Sequence, residues 1–459
     1  VGATLTADAS GMPPARADWR SHGLLLLLAM AFADNFVGRQ ILAVMIDPIK
    51  AEFGVGDTAM GLISGLAFAA VYAVLALPAG RLVDRLPRTR LLALSCLSWA
   101  LATMACGLAG GFIALAIARM LVAVSEAPTT TASLSLIADL YPPQRRSFAI
   151  SCFTAAPTFS SIIGLSLGAW VVEHHGWRSA FFALGVPALL FSALLALIRD
   201  PLRGRWDLPS AAAAAPLLGL RTEARKLWAL PAYRCLILAG GLTTLSSYAI
   251  GMWNTSFLIR SHDLSLQHAG MLAGIICGVA AGIGGLFAGW LNDRLSPRSA
   301  HWQIIIPVLG NLTALLALVI YLLWPAGILT HVAGVPVPQA MLWCALYSFF
   351  VVWWVAPSFN LVTQLVPSSR RGTAMALQTI LSTLLGVGIG PLLTGAFSDL
   401  LTPLLGEQAL RHALLLVSLP LLGSVALLLR TAVHASPSHY GRAMTPMFPA
   451  QALDEKGRS

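Results

Sequence analysis

The chain has 459 residues, of which 57% are hydrophobic and only 10% charged, and its mean hydropathy is +0.77. Soluble domains carry about 25% charged residues, so this composition excludes a water-soluble globule and points to a membrane protein. The formal net charge of +10 suggests a nucleic-acid or membrane-surface partner, and where the charges fall decides between them.

Windows of about 20 apolar residues, the length that crosses a bilayer core, predict twelve spans. They lie near 23–46, 58–79, 89–110, 112–138, 146–172, 178–198, 234–257, 269–291, 302–324, 338–365, 372–397 and 408–430. The second and third are cut from one nearly continuous apolar stretch. Unpaired backbone groups are not tolerated in hydrocarbon, so spans are helices or a closed barrel. No segment alternates with period two, which leaves an α-helical bundle. The first apolar run is too long for a cleaved signal peptide and leads straight into further spans.

Span one carries Asp34, Asn35 and Arg39 in the run AFADNFVGRQILAV. Asn35 and Arg39 share one helix face, and Asp34 and Gly38 share its neighbour. Span four carries Arg119 and Glu126, two turns apart on one face and about 10 Å apart along the axis. A charge at a helix centre costs about 2.5–3.5 kcal/mol even on the lenient insertion scale. Each of these groups therefore needs a partner or a wet cavity. One reading is a basic site for an anion beside an acid for a proton; the other is a structural pair bridging spans one and four.

Span two is followed by Gly80-Arg81-Leu82-Val83-Asp84-Arg85-Leu86-Pro87-Arg88. Span eight is followed by Gly289-Trp290-Leu291-Asn292-Asp293-Arg294. The two glycines are 209 positions apart, close to half the chain, which predicts a duplicated six-plus-six bundle with a site between the halves near the midplane. The division expected is a segment 1–22, a six-helix bundle 23–198, a linker 199–233, a second bundle 234–430 and a polar tail 431–459 with little structure. In the linker, Arg221, Arg225 and Lys226 beside Leu220, Leu227 and Trp228 suit a short interfacial amphipathic helix facing anionic lipid headgroups. Pro157, Gly164 and Gly168 in span five, and Gly386, Gly388, Gly390 and Pro391 in span eleven, fit close packing or bending.

With odd-to-even loops outside, only Lys50, Arg178, Arg260 and Arg411 are external, and Arg39 and Arg119 are intramembrane. The other basic residues lie in the termini and the even-to-odd loops. That bias puts both termini in the cytoplasm, so the basic excess orients the protein and no nucleic acid is expected. Cys96, Cys106, Cys152, Cys235, Cys277 and Cys344 fall in or beside apolar spans with no CxxC pair, which reads as packing rather than disulfide or metal chemistry. No metalloprotease, nucleophile-elbow or P-loop motif occurs, so neither an enzyme nor ATP-driven transport is expected, and no cofactor or metal.

The Gly-x-x-x-Asp-Arg-x-x-x-Arg loop, with its degenerate second copy, resembles the signature of the major facilitator superfamily. Asn35-Phe36-Val37-Gly38-Arg39-Gln40-Ile41-Leu42, Glu126-Ala127, Gly176-Trp177-Arg178, Ala356-Pro357-Ser358-Phe359 and Arg371-Gly372-Thr373-Ala374 resemble its Spinster branch, particularly the bacterial members. The resemblance covers nearly all of 23–430. It implies an all-α fold of twelve transmembrane helices in two pseudo-symmetric six-helix bundles. It also implies a secondary transporter working by alternating access, expected as a monomer in a bacterial inner membrane. In the branch's animal members the cargo is sphingosine 1-phosphate or related lysolipids. A broad drug or metabolite efflux carrier of the same fold is the alternative. A scramblase, which would equilibrate lipids without pH dependence, is a third class.

By that resemblance, spans one, four, seven and ten line the cavity, with Arg39, Arg119, Tyr347 and Trp353 as substrate contacts among Tyr248, Trp253, Asn254, Thr255, Phe349, Phe350 and Trp354. Gly80, Asp84, Arg85, Arg88, Asp293 and Arg294 form a cytoplasmic gate, with Asp84 facing the start of span eleven at Arg371. Spinster relatives place an aspartate of the proton site where this chain has Gly38. Three readings follow: Asp34 substitutes from one turn earlier, Glu126 alone carries the proton, or Gly38 is a locking change that breaks coupling or traps one conformation. A buried carboxylate gains proton affinity by desolvation and loses it near an arginine. A cycle that moves an acid toward and away from Arg39 would therefore bind and release a proton.

Overall fold

The computed structural model describes residues 19–203, 220–299, 301–366 and 370–434. The expected N-terminal segment 1–22 lies almost wholly outside them, as do 204–219 of the linker and nearly all of the tail 431–459.

Long apolar sequences close their own backbone hydrogen bonds as helices, and the chain is a succession of them. The first half runs α1 (Trp19–Gln40), α2 (Leu42–Phe53), α3 (Asp57–Gly61), a π turn (Leu62–Leu66), α4 (Ala67–Arg85), α5 (Arg88–Gly107), α6 (Phe112–Glu126), α7 (Thr129–Leu140) and α8 (Pro143–Leu197). Next comes the linker helix α9 (Leu220–Trp228). The second half runs α10 (Pro231–His262), α11 (Leu266–Leu272), a π turn (Ala273–Cys277), α12 (Gly278–Leu295), α13 (Trp302–Leu323), a hairpin of β1 (Ile328–Val332) and β2 (Val335–Pro338), α14 (Met341–Val351), a short 3₁₀ turn and α15 (Val355–Leu365). It closes with α16 (Arg371–Ser382), a π turn (Thr383–Ile389), α17 (Gly390–Leu405), a 3₁₀ turn, α18 (Ala409–Ser418) and α19 (Pro420–His434).

Among the described residues, ten continuous helical stretches are long and apolar enough to cross a membrane. Two of them contain a break. Gly176, at φ +78°, interrupts α8 between spans five and six, and Gly406, at φ +52°, separates α17 from α18. Both angles are ones that only glycine adopts freely, and they restore the count of twelve crossings. The two antiparallel strands pair Thr330 with Val337 and Val332 with Val335 in the loop between α13 and α14.

The halves meet along glycine-lined contacts. A side chain on Gly65 would fall 2.6 Å from the Gly388 carbonyl, and one on Gly278 would fall 2.6 Å from Ile162. These distances leave no room for a Cβ, so the small residues let the α3–α4 span pack on α16–α17, and α11–α12 on α8. The hydrogen bonds joining the halves gather at one end, called here the far end. Arg260 at the end of α10 bonds Asp47 through Nε (3.0 Å) and Asp57 through Nη1 (2.8 Å). The Asp399 carboxylate accepts the backbone N–H groups of Asp57 (2.9 Å) and Thr58 (2.8 Å), capping the start of α3. Ser398 donates to Asp57 (2.6 Å), Lys50 does so at 2.7 Å, and the Gln267 N–H donates to Glu173. The opposite end carries the 80–90 loop and is called the motif end.

Candidate functional site

In span one a single turn residue, Ile41, separates α1 from α2, and the polar residues sit just before it. Arg39 Nε donates to Glu126 Oε2 at 2.8 Å; the Glu126 side chain is wholly buried and that of Arg39 is 23% exposed. Asn35, one turn earlier and buried, lies within hydrogen-bonding reach of the same carboxylate. The Arg39 guanidinium is stacked 5.0 Å from the Phe68 ring and 5.2 Å from Tyr72. These two rings stand one turn apart on α4 and share the cation.

Arg119 is 2% exposed. Its Nη1 donates to the Gly38 carbonyl at 3.2 Å, and Phe68 lies 5.9 Å from the guanidinium. Its Nε has no hydrogen-bond partner among the described residues. The described bond of Arg119 therefore goes to a neutral carbonyl on α1, although Glu126 lies on its own helix. A buried cation held this loosely retains capacity for an anion.

Gly38 is not a vacant place. A Cβ there would lie 2.7 Å from Trp99 Cζ2, so the indole from α5 fills the volume into which a longer side chain would project. Asp34 faces elsewhere, into a narrow cleft inside the first half lined by Ser95, Cys96, Trp99, Ser125 and Thr129. Its Oδ2 has no hydrogen-bond partner among the described residues. Asp34 and Glu126 thus occupy different surroundings, and Arg39 meets Glu126.

Two neighbouring cavities lie between the halves. The larger, about 290 Å³, is lined by Gln40, Tyr248, Asn254, Cys277, Tyr347 and Ser348 among others. The smaller, about 20 Å³, is lined by Arg39, Arg119 and Phe68 and shares Gln40, Tyr248 and Met252 with the larger. The smaller is cationic and aromatic, while the larger is mostly apolar with scattered hydroxyls, two amides and two thiols. Trp353 lines neither cavity. It packs in an aromatic cluster with Phe287, Phe349 and Phe350. Trp253 is likewise buried, donating its indole N–H to the Pro391 carbonyl at 3.1 Å.

The expected gate residues separate into two kinds. Asp84 and Arg85 are exposed at the end of α4, and Asp293 and Arg294 are exposed at the end of α12, where Arg294 stands 5.7 Å over Trp290. A side chain on Gly80 would meet nothing within 4 Å. Arg88, expected in the same gate, is 1% exposed and pairs with Asp139 and Asp200, the latter at 3.0 Å. It donates to Ser135 as well, so it ties α5, α7 and the chain after α8 within the first half. Arg203 donates to the carbonyls of Val83, Asp84 and Leu86, capping the C-terminal end of α4. In α9, Leu227 is buried against the second half, and Glu223 pairs with Arg370 at 2.8 Å. Arg225 and Lys226 are exposed, while the side chain of Arg221 lies outside the described residues.

Sequence reasoning overlooked several residues. Phe68 and Tyr72 had a weak signal, two aromatics four apart in an apolar span. Asp47, Asp57 and Asp399 had none beyond their positions at span ends. All six cysteines are free, and two of them were not expected to be neighbours. Cys277 and Cys344 bring their sulfurs to 3.2 Å in the cavity wall, because the π turn and α14 face each other there. Among the described residues, no group of three His, Cys, Asp or Glu side chains could hold a metal ion.

The sequence profile of the Major Facilitator Superfamily matches residues 28–391. An MFS-type efflux pump of Mycolicibacterium smegmatis is 32% identical over 432 residues, covering 93% of this chain and 95% of the relative. Protein spinster homolog 1 of Homo sapiens is 29% identical over 404 residues, 83% of this chain and 73% of the relative. Among solved structures, a bacterial homologue of the human lysosomal transporter Spinster, in an inward-facing and occupied conformation, superposes with a TM-score of 0.78 at 23% identity. It covers 92% of this chain and 98% of that one.

Proposed function

The chain belongs to the major facilitator superfamily and is a membrane transporter, and from that premise we propose that it moves an anionic, lipid-like amphiphile by proton-coupled alternating access. The carrying observation is Arg119: a buried guanidinium that, among the described residues, bonds one carbonyl and leaves Nε unpartnered, lining a small cavity that shares Gln40, Tyr248 and Met252 with a larger, mostly apolar one. An anionic head at Arg119 and an apolar tail along Tyr248 and Tyr347 would suit both regions. Lysophospholipids and sphingoid phosphates have that shape and charge.

The far-end bonds hold the halves together, while Asp84 and Asp293 at the motif end are exposed. With the basic loops on the cytoplasmic side of a bacterial inner membrane, this arrangement is the inward-facing state. Closing the motif end would engage Asp84 with the start of α16 and release Arg260 at the far end. In this reading Glu126 is the coupling acid and Arg39 its switchable partner. A displacement of either changes the proton affinity of the acid, while Asp34, away from the cavity, is secondary. The unit expected to act is the monomer.

The test is equilibrium binding of lysophospholipids and sphingosine 1-phosphate to purified protein, with and without Arg119→Ala. Loss of a charge-assisted contact worth about 1.5–3 kcal/mol weakens binding roughly tenfold to 150-fold. Equal binding to both proteins would overturn the headgroup assignment. The similarity to the mycobacterial efflux pump favours a second reading, broad efflux of amphiphilic compounds. Competition between lysolipid and dye efflux in proteoliposomes separates the two, since a lipid carrier shows it and a dye pump indifferent to lysolipid does not.

A further inference from the structure

Cys277 ends the π turn Ala273–Cys277 and Cys344 lies in α14, 67 residues later, yet their sulfurs are 3.2 Å apart. Both line the central cavity of about 290 Å³. The Asn254 amide aims its N–H groups at both sulfurs, 3.7 Å to Cys277 and 3.8 Å to Cys344. Tyr321 donates to Asn254 Oδ1 at 2.6 Å and fixes which side of the amide faces the thiols. A pair that merely filled apolar space would need no oriented amide, and π turns inside helices recur at functional positions. The other four cysteines have no such neighbour among the described sulfurs.

We infer that Cys277 and Cys344 form a redox-sensitive dithiol in the wall of the transport cavity, closing to a disulfide when peroxide enters it. The sulfurs need to approach by only about 1.2 Å to reach bonding distance. Cys277, the less buried of the two, reacts first. Its sulfur attacks one peroxide oxygen, the O–O bond breaks, and that oxygen stays on sulfur as a sulfenic acid while the other leaves as water. The Cys344 sulfur then attacks Cys277, the S–S bond forms, the S–O bond breaks, and a second water carries off the remaining thiol proton. One peroxide is reduced to two waters as two thiols are oxidised by two electrons. Cys277 and Cys344 both belong to the second half, so the bond leaves rocking between halves free. Its effect is local: the sulfurs turn toward each other, away from Asn254, and the wall beside Tyr347 changes shape.

The experiment treats the purified full chain, carrying Cys152→Ser to remove the exposed thiol, with hydrogen peroxide. It then alkylates remaining thiols in denaturant and maps peptides by mass spectrometry. The expected result is a Cys277–Cys344 linked peptide, with both thiols lost to alkylation and both recovered with dithiothreitol. In Cys344→Ala, Cys277 should persist as a sulfenic acid that dimedone traps; the linked peptide in the parent protein decides the matter if that variant does not fold. Full alkylation of both residues, under conditions that oxidise Cys152 in the unsubstituted chain, overturns the proposal. So does a link to any other cysteine in place of this one. A second arm rests on the cargo reading above: peroxide should slow lysolipid uptake in the parent and leave uptake by Cys277→Ala unchanged. Uptake unaffected by a link that has formed would refute the control of the cavity. No lysolipid uptake in either redox state counts against the cargo reading alone, and the linked peptide then decides the dithiol.

Discussion

Arg260→Ala isolates the far-end closure. The guanidinium sits on α10 in the second half, and both its partners, Asp47 and Asp57, belong to the first, so its bonds exist only when the far end is shut. Asp57 is the costly partner because its side chain is 2% exposed, against 27% for Asp47. Breaking a buried pair typically costs about 3–5 kcal/mol. The Asp47 contact, near the surface, adds less than about 1 kcal/mol. Lys50 and Ser398 remain on Asp57 and return part of the loss. The net penalty is therefore about 2–3 kcal/mol, charged to the closed far end alone. That shifts the balance between conformations roughly 30- to 150-fold toward an open far end. Spin labels on cysteines at the exposed positions Ala51 and Leu404, in a Cys152→Ser background, report the separation by pulsed dipolar spectroscopy. The short-distance population should give way to a longer one. An unchanged distance distribution would show that Arg260 does not latch the halves, and the glycine contacts would then have to hold them.

Glu126→Gln keeps the shape beside Arg39 and removes the titratable charge; uptake driven by a pH gradient should vanish while cargo exchange at equal pH persists. Full pH-driven uptake in the variant would exclude Glu126 as the coupling acid. Gly38→Ala places a methyl 2.7 Å from Trp99, and overpacking of this kind costs about 1–3 kcal/mol. Thermal unfolding should occur at lower temperature, and a second change, Trp99→Leu, should restore part of the loss; an unchanged melting temperature would show that the indole moves aside freely. Arg88→Met removes the buried guanidinium shared by Asp139 and Asp200 and should lower stability by about 3–5 kcal/mol, with little change in transport per folded molecule. Normal stability with impaired transport would return Arg88 to the gate.

The twelve crossings and the duplication were legible because hydrocarbon imposes length and apolarity on each span, and because two polar loops 209 residues apart stand out against that background. The charged groups of the central site were visible for the same reason: Arg39, Arg119 and Glu126 are rare events in apolar runs. Their partners were not, since pairing depends on helix rotation and tilt, which apolar sequence leaves open. Nothing in the run around Gly38 reveals that Trp99, on another span, fills its place. Arg88 reads as a loop arginine because its acids lie 51 and 112 residues away. Trp353 shows the converse, an aromatic on a cavity-facing span that the 3₁₀ turn and packing direct into a cluster. The thiol pair escaped notice because sequence spacing says nothing about two helices that meet side on.

The second span of each half carries a π turn at nearly the same place, 62–66 in the first and 273–277 in the second. A π turn holds one residue more than the α-helix needs, so it phases the helix beyond it relative to the helix before by about 100°. Upstream, Gly61 and Gly270 meet the opposite half; downstream, the same helices run on to Asp84 and Asp293. Deleting a single residue from either turn would restore regular winding and swing that half's acidic loop by about 100°, more than a quarter of a revolution. The spare residue acts as a phase setting between the seal at one face of the membrane and the loop at the other.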